Sequence, residues 1–301
     1  MKIVNPLYDK AFKYLMENEK LAKKVLSVLL DQEVEELSLG QQETVFPDLK
    51  RVLTLFRLDF KAIIKEADGT KKKVLIELQK SKYSTDIQRF RNYLGSNYMS
   101  KDRKIDEEGK EQKTLYPIIT IYILGYNMND LPYLAVKVNR QVIDSSNNKT
   151  VKVKSFFIEH LTHESHIIQV LRLPEKRRTR MEKFLTLFNQ AWITDEKFIL
   201  DLQDIPAEFQ EMAKYLQGPV MDDNFRRQLE AEEEIDTIFD EQEAKYLIQI
   251  EAAKLAEQEA KQREKDLAIK FANQLKKQGM SIDEISSETG LSIKEIKNLH
   301  K

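Results

Sequence analysis

Cysteine is absent from the 301 residues. Its absence removes disulfides, thiolate nucleophiles and sulfur-ligated zinc together, and fits a reducing compartment. Glycine is scarce as well, with eight residues scattered along the chain, and none of them builds a phosphate-cradling loop. No nucleotide cofactor is therefore expected. No run approaches the ~18 uncharged apolar residues that span a bilayer, and Met1-Lys2-Ile3 leads into Asn5-Pro6 rather than an apolar signal segment. The expectation is a cytoplasmic protein with no membrane partner, large enough for one substantial core of about half the chain plus an appendage.

The formal net charge is only -1, but charge is partitioned along the sequence. Between Lys50 and Lys82 ten basic residues stand against four acids, an excess of six positive charges. Between Asp222 and Lys245 ten acids stand against three bases, an excess of seven negative charges. A basic stretch suits a polyanionic partner such as DNA, because neutralising phosphates supplies most non-specific nucleic-acid affinity. Lys71-Lys72-Lys73 beside Asp68-Gly69 also fits a solvated hairpin tip.

Apolar spacing predicts one or two helices over residues 7–30, broken near Asn18. Segments 52–65 and 73–80 read as strands joined by an Asp68-Gly69 turn, followed by a helix from Thr85 to about Lys101. Tyr116–Leu124 is the strongest buried-strand signal, and further strands are expected near 133–143 and 152–160, with loop chemistry at Asp144–Asn148. These elements make an α/β core over 1–175. Residues 176–221 read as helical and packed on the core, with a break at Gly218-Pro219. Residues 222–278 contain no proline or glycine and read as long charged helix, in one or two pieces, or coiled coil. In 279–301, Ser281-Ile-Asp-Glu284 and Ser292-Ile-Lys-Glu295 are two capping boxes around Thr289-Gly290, the pattern of a helix-turn-helix. Its last helix would offer Lys294, Lys297, Asn298, His300 and Lys301 to DNA, although small three-helix units also serve in docking.

The chemistry concentrates on two neighbouring strands. Asp59 lies in Leu58-Asp-Phe-Lys61 and Glu77 in Ile76-Glu-Leu-Gln-Lys80. If their carboxylates converge they can hold one Mg²⁺ or Mn²⁺ through hard oxygens; if not, they are solvated acids on a hairpin. Strand alternation sets Glu77 with Gln79 on one face, Leu78 with Lys80 on the other, and Asp59 with Lys61. His160, His163 and His166 recur every third residue, but on a helix the outer pair stands about 120° apart around the axis and about 9 Å apart along it, so the three are not expected to share one ion.

Asn5-Pro-Leu-Tyr-Asp9-Lys-Ala-Phe12-Lys13, Arg57-Leu-Asp59, Ile76-Glu77-Leu-Gln79-Lys80 and Gln88-Arg89-Phe-Arg91-Asn-Tyr93, in that order, resemble the PD-(D/E)XK nuclease family transposases, relatives of the recombination-promoting nucleases. The resemblance covers roughly residues 1–175. It implies a restriction-endonuclease-like core of mixed sheet flanked by helices, followed by an α-helical C-terminal extension, and Mg²⁺-dependent hydrolysis of DNA phosphodiesters. Asp59 matches the metal-binding aspartate and Glu77 the second acid. Gln79 stands where the parent pattern has lysine, which leaves Lys61, Lys80 and Lys82 as alternatives for the missing cation. Asp9 fits either a further carboxylate or a capping role, and Arg89, Arg91 and Tyr93 are DNA-backbone candidates on the following helix. A homodimer suits an enzyme that cuts two strands. The rival readings are a catalytically silent DNA-binding relative and a protein-interaction factor that works through its C-terminal helices.

Overall fold

The computed structural model describes residues 1–39, 43–46, 54–57, 60–80, 86–105 and 110–299. In chain order the elements are β1 (Lys2–Val4), α1 (Asp9–Glu17), α2 (Glu19–Leu30), β2 (Val34–Leu39), β3 (Glu43–Phe46), β4 (Thr54–Arg57), β5 (Phe60–Glu66), β6 (Lys71–Gln79), α3 (Asp86–Met99), β7 (Asp102–Ile105), β8 (Glu111–Thr114) and β9 (Ile118–Leu124). There follow β10 (Ala135–Val138), β11 (Ile143–Asp144), β12 (Lys149–Thr150), α4 (Phe156–Leu161), β13 (Glu164–Gln169), α5 (Arg180–Phe184), β14 (Ile199–Asp201), α6 (Gln210–Gln217), α7 (Asp223–Lys277), α8 (Ile282–Thr289) and α9 (Ile293–Asn298). The chain divides into two compact units, Met1–Thr237 and Ile238–Lys301, so the boundary falls inside α7.

The first unit is α/β. Its six-stranded mixed sheet runs β10-β13-β9-β6-β5-β2, with β9 parallel to both β13 and β6 and the remaining pairs antiparallel. Only the strands nearest the middle can be apolar on both sides, and the nearly continuous Ile-Ile-Thr-Ile-Tyr-Ile-Leu of β9 meets that demand. Residues Phe60, Ala62 and Ile64, Val74 and Ile76, and Ile119, Ile121 and Ile123 recur every second position and bury against Phe12, Leu15, Val25, Leu26 and Leu29 of α1 and α2. Asn18 separates the two helices as expected, its side chain accepting from the Leu21 amide to cap α2. The hairpin between β5 and β6 turns at Gly69, where φ is +82° and the amide donates to the Glu66 carbonyl at 2.8 Å. The opposite face carries α3, whose Tyr93 packs with Leu75 and Ile118.

Three features differ from the sequence-based expectation. The strand expected over 52–65 is divided: Thr54–Arg57 pairs with Glu43–Phe46, and only Phe60–Glu66 joins the main sheet. Residues 152–160 do not form a strand. The alternating Val151-Lys-Val-Lys154 is solvent-facing and joins no sheet, its Val151 amide donating to the Val142 carbonyl at 2.9 Å; Phe156–Leu161 is helical, and the sheet strand is the less apolar Glu164–Gln169, held between β9 and β10. Residues 176–217 fold as short helical turns plus β14, which clasps β1 antiparallel. The break expected at Gly218-Pro219 is present: α6 ends at Gln217, Gly218–Met221 form a tight 3₁₀ turn, and the Asp222 carboxylate accepts from the amides of Asn224 (2.8 Å) and Phe225 (3.0 Å) to open α7.

In the second unit Ala272 and Leu275 of α7 bury with Ile285, Leu291 and Ile296. Both capping boxes form, Ser281 with Glu284 and Ser292 with Glu295, and Gly279 and Gly290 take positive φ between the helices. No described helix is long and apolar enough to cross a membrane.

Gly125 follows β9 and donates to the Gln79 carbonyl at 2.6 Å; a Cβ there would lie 2.8 Å from the Lys80 carbonyl oxygen and 3.1 Å from the Lys80 Cα. Backbone cannot swing aside as a side chain can. Gly125→Ala is expected to destabilise the first unit by about 1–3 kcal/mol, whereas Gly95→Ala, in a helix with nothing within 4 Å of the new methyl, is expected to stabilise it by up to about 1 kcal/mol. Urea denaturation of both variants checks the contrast.

Candidate active site

Strand β6 sorts its side chains by parity. Val74 and Ile76 enter the α1–α2 core, and Leu75 packs beneath α3, so alternation sends Lys73, Glu77 and Gln79 to the α3 side. Glu77 is 1% exposed and Gln79 is buried. On β5, Lys61 stands directly opposite Leu75 in the register, which places it on the same face. Lys61 is half-buried. Burial and then the Lys73 charge push its ammonium below the usual lysine range, with Asp102 partly opposing them.

The floor beside Glu77 is Tyr122, its register partner on β9. Burial raises the Tyr122 hydroxyl well above its ordinary value, and the Glu77 charge adds to the shift. The Tyr122 ring meets Phe90 of α3 with centroids 4.2 Å apart. One and two turns further along α3, Tyr93 covers Leu75 and the Asn97 carbonyl approaches Lys73 Nζ at 3.5 Å. Lys73 forms a buried ion pair with Asp102 at 2.8 Å, and the other Asp102 oxygen accepts from the Tyr116 amide at 3.3 Å. The pair fastens the β7 end of the β7–β8 hairpin to the sheet. Nothing in the sequence distinguished Asp102 from the solvated charges around it.

Other sequence-derived site residues are dispersed. Asp59 and Lys82 lie outside the described residues. Phe60, next to Asp59 in the chain, pairs with Ile76, next to Glu77. Gln79 accepts from the Tyr126 hydroxyl at 3.1 Å. Lys80 does not join Glu77: its Nζ sits 3.4 Å from the centre of the Tyr8 ring on the α1 side and is surrounded by Glu232, Glu233 and Asp236 of α7. Asp9 opens α1 on that same side, with one carboxylate oxygen 2.7 Å from Lys13 Nζ. Arg91 is exposed, but Tyr93, expected at a DNA-facing surface, is buried, because its position on α3 is the one that covers the sheet. The position of Arg89 on α3 is described, its side chain is not.

The histidines do not converge, for a different reason from helical phase: His160 belongs to α4, His163 to the connection, and His166 to β13. His166 Nε2 lies 2.8 Å from Glu164, which also pairs with Lys137 at 2.8 Å. Burial alone would raise the Glu164 carboxyl, but these two partners hold it down at about 2. Among the described residues no group of three or more His, Asp or Glu is arranged to hold a metal ion. On the last helix Lys294, Lys297 and Asn298 are exposed, Glu295 pairs with Lys265 at 2.7 Å, and His300 and Lys301 lie outside the described residues.

Comparison of the chain with protein-family models, with curated proteins and with solved structures finds no match in any of the three.

Removing one member of a buried ion pair strands the other. Asp102→Ala is expected to cost about 3–5 kcal/mol, and the double replacement Lys73→Met with Asp102→Leu to recover most of that loss, as read from denaturant midpoints. Lys61 generates a pH dependence. Because its folded-state value lies below the unfolded one, the unfolded chain binds the extra proton between the two values, so stability rises with pH across that interval. Lys61→Met is expected to flatten this rise when denaturation curves are compared between neutral pH and pH about 10.

Proposed function

We propose that the chain is a metal-dependent DNA endonuclease with a restriction-endonuclease-like core of the PD-(D/E)XK type, in which Glu77 and Asp59 are the paired acids. The observation that carries this reading is the buried Glu77 on one face of the central hairpin with the half-buried Lys61, while Phe60 and Ile76, the neighbours of the two acids, are register partners. The mixed sheet with helices on both faces supports it, as does the basic excess from Lys50 to Lys82.

Glu77 offers the hard oxygen donors that Mg²⁺ or Mn²⁺ prefers. With no three-ligand group among the described residues, the reading requires Asp59 as its second ligand. A bound ion would polarise the phosphodiester and acidify a water. The remaining work belongs to the chain. Lys61 supplies the cation missing at Gln79, its lowered proton affinity suiting it to orient a water or to share a proton with it. Gln79, held by Tyr126, adds a neutral polar contact. Cutting both strands of a duplex calls for two copies, so a homodimer belongs to the proposal and is checked by solution mass.

A second reading, a DNA-binding protein without hydrolytic activity, is favoured by Gln79 being engaged with Tyr126 and Lys80 with the acids of α7. Supercoiled plasmid incubated with Mg²⁺ or Mn²⁺ separates the two. On the endonuclease reading the wild type nicks, Asp59→Ala and Glu77→Ala reduce nicking to background, and Lys61→Met slows it by about 10²-fold or more. Equal nicking by wild type and acid variants overturns that reading. Salt-sensitive DNA binding with no nicking by any variant establishes the second.

A further inference from the structure

The acidic run at the start of α7 is the charged feature that the proposed chemistry leaves unused. Phe225 and Leu229 are buried in the core of the first unit, and positions 225, 229, 232, 233 and 236 continue one stripe of the helix. After Leu229 that stripe changes from apolar to acidic. There it meets Lys80, Tyr8 and the amino end of α1. The Glu232 carboxylate accepts from the Asp9 amide at 2.8 Å and the Lys10 amide at 3.2 Å. Lys80 Nζ lies 3.4 Å from Glu232 and 3.8 Å from Glu233, and pairs with Asp236. The Tyr8 hydroxyl donates to Glu233, which also pairs with Lys197 at 2.9 Å.

The arrangement is costly for a structural clamp. Burial raises the Glu232 carboxyl above its ordinary range despite the Lys80 charge and the two amides. Apolar side chains would hold α7 here with no desolvation penalty. What the acids accomplish instead is to fill, with anionic oxygens, the places that a lysine and a helix amino end offer to any anion. Those places adjoin the end of β6, since Lys80 directly follows Glu77-Leu-Gln79.

We propose that this face of α7 is an intramolecular stand-in for nucleic-acid phosphate, an autoinhibitory contact that keeps DNA from the Lys80 end of β6 until the acidic turn lifts. The proposal rests on the DNA-endonuclease reading. Phe225 and Leu229 keep the helix anchored, so the acids remain at high local concentration and return when the polyanion leaves.

The test uses the full chain and a fluorescein-labelled DNA duplex, with anisotropy measured at low and moderate salt. The triple variant Glu232→Gln, Glu233→Gln, Asp236→Asn is expected to bind about tenfold tighter than wild type, with a steeper salt dependence. Adding Lys80→Ala to it is expected to cancel the gain. Should the triple variant fold poorly, Asp236→Asn alone is expected to give a smaller gain of about threefold. Hydrogen exchange supplies a readout that a structural clamp would not move: DNA added to wild type is expected to speed exchange over residues 230–237 while 225–229 stay protected. Folded variants that bind with wild-type affinity, or DNA that slows exchange over 230–237, overturn the closure alone. Absence of DNA binding by wild type and every variant overturns the closure together with the DNA reading.

Discussion

The structure depends on the alternation of β6. It is bordered by a parallel neighbour and an antiparallel one and has a helical layer on each side, so both of its faces are covered. One parity, through Val74, Ile76 and Leu78, closes the main core against α1 and α2, while the other carries Lys73, Leu75, Glu77 and Gln79 beneath α3. Burying that second parity costs solvation free energy, and the fold offsets it with specific partners: Asp102 for Lys73 and Tyr126 for Gln79. A slip of one residue would drive the charges into the apolar core and the apolar residues under α3, so the register has a single workable setting.

Elements whose signal is periodic are legible in the sequence alone. The α1–α2 break at Asn18, the hairpin at Gly69, β9, and the two capped helices after Gly279 all stand as their sequences predict. Alternation alone also assigned Lys80 to the face opposite Glu77. The misreadings arise where local pattern and tertiary partner conflict. Val151-Lys-Val-Lys154 has a strand's alternation but only the Val151 bond to the Val142 carbonyl, while Glu164-Ser-His-Ile-Ile-Gln169 lacks a clean pattern yet fills the gap between β9 and β10. Propensity describes a segment; a sheet selects the segment that can reach it. Tyr93 and Arg91 share a motif in the sequence and are separated by helical phase into buried and exposed. The Asp102–Lys73 pair joins residues 29 positions apart through a hairpin, and no short-range rule points to it.

Charge follows the same logic at longer range. A net of -1 conceals a basic stretch around the central hairpin and an acidic stretch opening α7, and Lys80 brings a member of the first together with three members of the second. The acidic turn therefore functions as a counter-surface for part of the basic stretch, and both gain or lose strength together as ionic strength changes.

The clasp of β1 on β14 bears on the order of assembly. Ile3 and Val4 reach full burial only when Ile199 and Leu200 are present to pair with them, and the same core includes Phe184, Phe188 and Phe209. All six strands of the main sheet lie between β1 and β14 in the sequence, so that sheet can assemble before β1 meets its partner. Contacts of such sequence separation form late and slow the overall reaction. Closure of this clasp thus waits on a partner almost two hundred positions along the chain, and β1 is among the last elements of the first unit to be secured.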